Sequence, residues 1–174
     1  MTIELETLRF PSRFKIVLGP EGCFASELIS CQDFPSGEVL ATLGKECQVS
    51  RQKAYTSVQF GDEAAGHGNA HFELNSELVY INHSCEPNVA FELPGGWKGL
   101  EEGNWCLRSL SAIKAGDPLT FAYFSTEWDM AQPFQCQCGS KTCVGMIRGA
   151  KYLPKEFLNK YFINPHIRSM KNSQ

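Results

Sequence analysis

Short apolar segments broken by glycine, proline and asparagine run through most of this chain. Val89, Phe91 and Leu93 alternate with Ala90 and Glu92, the period-two pattern of a half-buried strand. Similar runs predict strands at residues 14–18, 23–28, 38–42, 54–60, 88–93, 104–110 and 119–123. Pro94-Gly95-Gly96 and Glu102-Gly103-Asn104 mark turns, and residues 61–69 read as a polar loop. One helix is expected near residue 154, with Pro154 as its first residue and Phe157, Leu158 and Tyr161 on one face. No repeat or low-complexity tract interrupts the pattern. It is mainly β and lacks regular βαβ alternation, which argues against a doubly wound α/β fold.

A length of 174 residues fits one domain. No apolar run approaches a membrane span. The first ten residues carry Glu4 and Glu6 with no basic region ahead of an apolar one, so a secretory signal is not expected. An intracellular location follows, in nucleus or cytoplasm. The eight cysteines then point to a reducing compartment and metal ligation rather than a disulfide scaffold. Cys23, Cys31, Cys47 and Cys106 lie mostly among apolar neighbours and read as small core residues. Charge is divided unevenly. Residues 1–130 hold 9 Lys/Arg and 18 Asp/Glu, whereas residues 131–174 hold 7 Lys/Arg and the single acid Glu156. The acidic part would attract a basic peptide, or it is simply a solvated surface. The basic part carries no nucleic-acid motif.

Two segments carry the clearest chemistry. Asn82-His83-Ser84-Cys85-Glu86-Pro87-Asn88 sets one thiol in a polar, hydrogen-bonding stretch. About fifty residues later, Cys136-Gln137-Cys138-Gly139-Ser140-Lys141-Thr142-Cys143 offers three more. Four thiolates suit a closed tetrahedral zinc site. Two disulfides or four unpaired thiols are the alternatives, and the C-x-C spacing strains an internal disulfide. A zinc clamp would make any pocket between the two segments depend on the metal.

Two further motifs are Gly19-Pro20-Glu21-Gly22-Cys23-Phe24-Ala25 and Gly116-Asp117-Pro118-Leu119-Thr120-Phe121-Ala122-Tyr123. In this order the four segments resemble the SET-domain family of protein-lysine methyltransferases. The matching family patterns are G-x-x-G-x-F-A, N-H-S-C-x-P-N, G-x-x-L-T-[YF]-x-Y and the post-SET C-x-C-x4-C-x-G tail. The likeness covers roughly residues 14–149. It implies the mainly β SET fold, small curved sheets around a pseudoknot, a rare departure from unknotted chains. It divides the chain into a SET domain (1–130), a post-SET zinc segment (131–149) and a helical extension (150–174). The cysteine-rich pre-SET cluster of relatives has no counterpart in these residues.

The resemblance also implies site residues. Cys85, Cys136, Cys138 and Cys143 match the zinc ligands. Glu21, Gly22, Cys23 and Phe24 lie where the family's backbone meets S-adenosylmethionine (SAM), and glycine allows such close approach. Asn82 and His83 match the residues that meet the cofactor's methionine amino group and adenine. Tyr55 and Phe134 are additional cofactor candidates, though read alone each is as readily a packing residue. Tyr123, the last tyrosine of its motif, matches the catalytic residue. Phe121 lines the expected substrate channel; phenylalanine there leaves room for more than one methyl group. The implied activity is SAM-dependent methylation of a lysine in a protein substrate, a histone or another protein. Two alternatives keep the fold: transfer to a small-molecule amine, and a catalytically silent binding module.

Overall fold

The computed structural model describes residues 8–21, 23–50, 52–62 and 70–174. Its strands are β1 (Phe14–Val17), β2 (Glu27–Ser30), β3 (Val39–Thr42), β4 (Gln48–Val49), β5 (Ser57–Gln59) and β6 (His71–Glu73). They continue as β7 (Asn82–His83), β8 (Val89–Glu92), β9 (Cys106–Ser109), β10 (Thr120–Phe121), β11 (Phe134–Gln135) and β12 (Met146–Ile147). Helices are few and short: α1 (Gly96–Glu101), α2 (Lys155–Leu158) and α3 (Pro165–Ser173). The described strands form five small sheets, ordered β1-β2, β3-β9-β8, β4-β6-β5, β10-β7 and β11-β12. Of these only β10-β7 is parallel. No helix among the described residues is long and apolar enough to cross a membrane.

The main core lies between the three-stranded sheets. Phe72, Phe91, Trp105 and Leu107 are fully buried there, with the Phe72 and Trp105 rings 4.9 Å apart. The Trp105 indole is satisfied by the Pro94 carbonyl at 3.0 Å. A second apolar cluster joins Ala122 and Phe124 to Ala150, Leu158, Ile163, Ile167 and Met170. Residues 150–174 are therefore packed onto the domain. A third, smaller cluster surrounds Cys85, Cys136 and Ile147.

Most expected strands are present, at shorter lengths. The 23–28 strand begins only at Glu27, because residues 23–26 lie in the loop of the β1-β2 hairpin, in which Val17 pairs with Glu27. The 119–123 strand ends at Phe121 and gives way to a 3-10 turn at Tyr123–Ser125. Ala90, expected on an open strand face, is buried, on the wall of a cavity shared with Lys160, Tyr161 and Phe162. The Pro94-Gly95-Gly96 turn runs directly into α1, with Gly95 as its left-handed cap. Near the other end, α2 is a single turn with Pro154 at the cap rather than inside the helix. Most of the 61–69 loop lies outside the described residues.

The cysteine reading needs correction. Cys47 and Cys106 are buried as expected, but Cys23 and Cys31 are exposed. Cys23 sits on the hairpin loop and Cys31 follows the end of β2, so apolar neighbours in sequence do not place either in the core.

One buried carboxylate fixes the early chain. Glu77 accepts the Arg9 amide at 3.1 Å and the Phe10 amide at 2.5 Å, and it is 1% exposed. Glu77→Ala removes a charged acceptor from two backbone donors and should lower stability by about 2–3 kcal/mol. Chemical denaturation measures it; an unchanged midpoint would mean that these amides find other partners at no cost.

Candidate active site and metal centre

The cysteine cluster is built by two local structures. Cys85 follows β7, while Cys136, Cys138 and Cys143 lie in the loop of the β11-β12 hairpin. That hairpin is pinned by Phe134 opposite Ile147 and by the Cys136 amide on the Gly145 carbonyl at 2.7 Å. The four sulfurs lie within 4.8 Å of one another, and the Cys85 and Cys136 sulfurs are 4.0 Å apart. All four are free thiols. Tetrahedral Zn–S bonds of about 2.3 Å place the sulfurs roughly 3.8 Å apart, so the cluster has both the donor set and the spacing to hold zinc.

The sulfurs are electrostatically unequal. Burial pushes the Cys85 thiol up to about 11. Burial also opposes the Cys138 thiolate, but hydrogen bonds from the Ser140 hydroxyl and nearby backbone outweigh it and bring the group down to about 6. A cation among the sulfurs favours the thiolate at every one of them.

His83 connects this cluster to Tyr123. Its Nδ1 accepts the Tyr123 amide hydrogen at 3.0 Å. Burial holds the imidazole down to about 4, so the ring is neutral near pH 7. A backbone amide can only donate, so the ring proton must sit on Nε2. Nε2 lies 3.4 Å from the Cys85 sulfur and donates to it. Both ring nitrogens are thus engaged internally, and the ring stands edge-on to Tyr123, Phe124 and Phe134.

Tyr123 opens the 3-10 turn after β10. Its phenol donates to the Ile81 carbonyl at 3.2 Å. Burial, with the Glu127 carboxylate adding to it, raises the phenol pKa, so the hydroxyl keeps its proton. Phe121 packs against both Tyr123 (4.7 Å) and Phe91 (4.9 Å). Phe134 lies 5.9 Å from Tyr123 and the same distance from His83.

The remaining sequence candidates lie on the β1-β2 hairpin loop, at the start of β7 and in the turn before β5. Asn82 donates its side-chain amide to the Ser26 carbonyl at 2.9 Å. The loop neck requires glycine, since a Cβ on Gly19 would meet the Ala25 carbonyl carbon at 2.6 Å. Phe24 and Tyr55 stand together, rings 5.6 Å apart, yet are 77% and 62% exposed. Tyr55 lies in a turn just ahead of β5 rather than within a strand. Glu21 and Cys23 are exposed on the same loop, and Gly22 lies outside the described residues. The structure therefore gathers Asn82, His83, Tyr123, Phe121, Phe134 and the cysteines, while the Phe24–Tyr55 pair stands exposed apart from them.

Several partners carried no signal in the sequence. The Ile81 carbonyl and the Tyr123 amide are backbone groups. Glu127, which accepts the Gln59 amide at 2.8 Å, read only as part of an acidic surface. Tyr161, whose hydroxyl donates to the Cys85 carbonyl at 2.9 Å, read as one position on a helix face.

Chelation tests the cluster. The purified protein should contain close to one zinc per chain, and Cys138→Ser should lose most of it together with thermal stability. Metal-free protein with the stability of the metal-loaded form would refute a clamping role.

Comparison with known proteins places the chain. A sequence model of the SET domain matches residues 25–124. The methyltransferase flvH of Aspergillus flavus is 35% identical over 162 residues, spanning 92% of this chain and 82% of flvH. The histone-lysine N-methyltransferase mes-4 of Caenorhabditis elegans is 35% identical over 79 residues, 41% of this chain and 8% of that protein. Among solved structures, KRYPTONITE in complex with mCHG DNA and SAH is similar with a TM-score of 0.54 at 17% identity, covering 80% of this chain and 29% of that one. Such low identity bears on the fold alone. With the family model covering more than half of the chain and flvH aligned along nearly all of it, this protein belongs to the SET-domain family of methyltransferases.

Proposed function

We propose that the protein is a SAM-dependent N-methyltransferase that acts on the side-chain amine of a lysine in a protein substrate, a histone or another protein. One observation carries the reading: a partly buried phenol at Tyr123, anchored on the Ile81 carbonyl and flanked by Phe121. The residues assigned to SAM are Glu21, Gly22, Cys23, Phe24, Tyr55, Asn82, His83 and Phe134. They fit its chemistry, since the aromatic rings offer stacking faces for a nucleobase and the Asn82 amide and loop backbone suit a zwitterionic amino acid. When bound, SAM supplies an electrophilic methyl group on a sulfonium. Zinc held by Cys85, Cys136, Cys138 and Cys143 would have no open position and would serve as a structural ion.

The chain's own residues handle the amine. A lysine amine must be neutral to attack, and at pH 7 this costs roughly 4.6 kcal/mol from a pKa near 10.4. The apolar wall of Phe121 disfavours the ammonium form. Because the Tyr123 hydroxyl donates to Ile81, its oxygen lone pairs are free to accept an amine N–H. That contact turns the nitrogen lone pair toward the methyl group, and alignment supplies much of the remaining acceleration. The excess of nine acids over bases in residues 1–130 suits a lysine-bearing basic segment.

A second reading has one observation behind it. The flvH relative, aligned along nearly the whole chain, is named a methyltransferase without a protein substrate, whereas the mes-4 likeness spans under half of the chain. A small-molecule amine would fit that pattern. Incubation with labelled SAM and either core histones or fractionated extract separates the two: label in protein supports the first reading, and label only in small metabolites supports the second.

Tyr123→Phe should reduce kcat by about 10²–10³-fold with cofactor affinity retained; wild-type turnover would remove Tyr123 from the chemistry. Phe121 carries no hydroxyl to hold a water beside the amine, so the product at exhaustive turnover should bear more than one methyl group. Phe121→Tyr should shift it toward the monomethyl form by mass spectrometry, and a monomethyl product from the native protein would contradict this.

A further inference from the structure

Residues 150–174 grip the turn that carries Tyr123 from behind. Asn164, fully buried, sends its backbone and side-chain N–H groups to the Ser125 carbonyl, each at 3.1 Å. The same side chain donates to the Phe91 carbonyl at 2.8 Å and accepts the Leu93 amide at 2.9 Å, standing in for a missing neighbour strand along β8. His166 Nε2 lies 2.8 Å from the Thr126 carbonyl. Phe124, next to Tyr123, is held edge-on by Tyr161 at 5.0 Å and Phe157 at 5.8 Å.

Tyr161 adds a second link. Its hydroxyl donates to the carbonyl of Cys85, one of the four clustered thiols, at 2.9 Å. A cavity of about 430 Å³ lies alongside, between this segment and the Cys85–Glu86 corner. Tyr161 forms part of its wall, and its hydroxyl is bonded to the Cys85 carbonyl at the edge of that space. One residue thus touches both the ring beside Tyr123 and the backbone of a metal ligand.

We infer that residues 150–174 complete the active site, with Tyr161 as the positioning residue that ties the Tyr123 turn to the metal centre. The inference rests on the catalytic role proposed for Tyr123, but its metal half stands independently. Its two contacts are separable. Tyr161→Phe keeps the ring against Phe124 and deletes only the bond to Cys85. Tyr161→Leu deletes both.

The test uses the zinc-loaded full chain and three readouts: zinc release to an excess of coloured chelator, thermal midpoint, and kcat against KM. Tyr161→Phe should release zinc roughly tenfold faster, as for loss of other groups that orient metal ligands. Tyr161→Leu should release zinc at a similar rate and lower kcat at least tenfold further, with KM for SAM unchanged. Zinc release from Tyr161→Phe at the native rate would overturn the metal link. Native kcat in folded Tyr161→Leu would overturn the positioning role. If the native protein transfers methyl to no amine, the proposed function fails, while the release rates still decide the metal link.

Discussion

The site depends on a two-residue parallel ladder. Asn82 pairs with Thr120 and His83 with Phe121, and the Ser84 amide closes on the Phe121 carbonyl at 3.1 Å. So short a ladder is marginal by itself. Asn88 braces it, accepting the Thr120 amide at 2.8 Å and donating to the Pro118 carbonyl at 2.9 Å. This crossing sets Tyr123 two residues beyond one strand and Cys85 two residues beyond the other. The His83 ring, bonded to both, fixes the distance between them.

The sulfur cluster closes the same arrangement from outside. Without a cation, four thiols at these separations gain little, and burial works against ionising Cys85 and Cys136. With one, the β11-β12 hairpin would be drawn against Cys85, and Phe134 would be held beside His83 and Tyr123. Folding of residues 134–147 and assembly of the site are then one event. The segment beyond, through Tyr161 and Asn164, presses on the far side of the same turn. Tyr123 is thus fixed from both sides.

Much of this was legible in the sequence because its signals are local. The C-x-C-x4-C spacing needs only one hairpin to bring its three thiols together beside Cys85, and the period-two run at residues 88–93 needs only a core to become β8. The less legible parts are those decided by distant chain. Tyr123 reads as the end of a strand, but the ladder stops at Phe121 and lets the turn present the phenol. Cys23 and Cys31 read as core by their neighbours, while a place on the hairpin loop and just past the end of β2 leaves both exposed. No helix was expected at α3, whose N-cap is Asn164. Asn164, however, spends its side chain on β8 and not on its own helix, which only the assembled fold can reveal.

The interdependence of metal and cofactor surface is best measured by titrating SAM into the protein before and after zinc removal, by calorimetry. Binding should be lost, or weakened at least tenfold, in the metal-free protein and return when zinc is restored, since Phe134 is held beside His83 by the clamp. Equal affinity in the two forms would contradict the account at its centre.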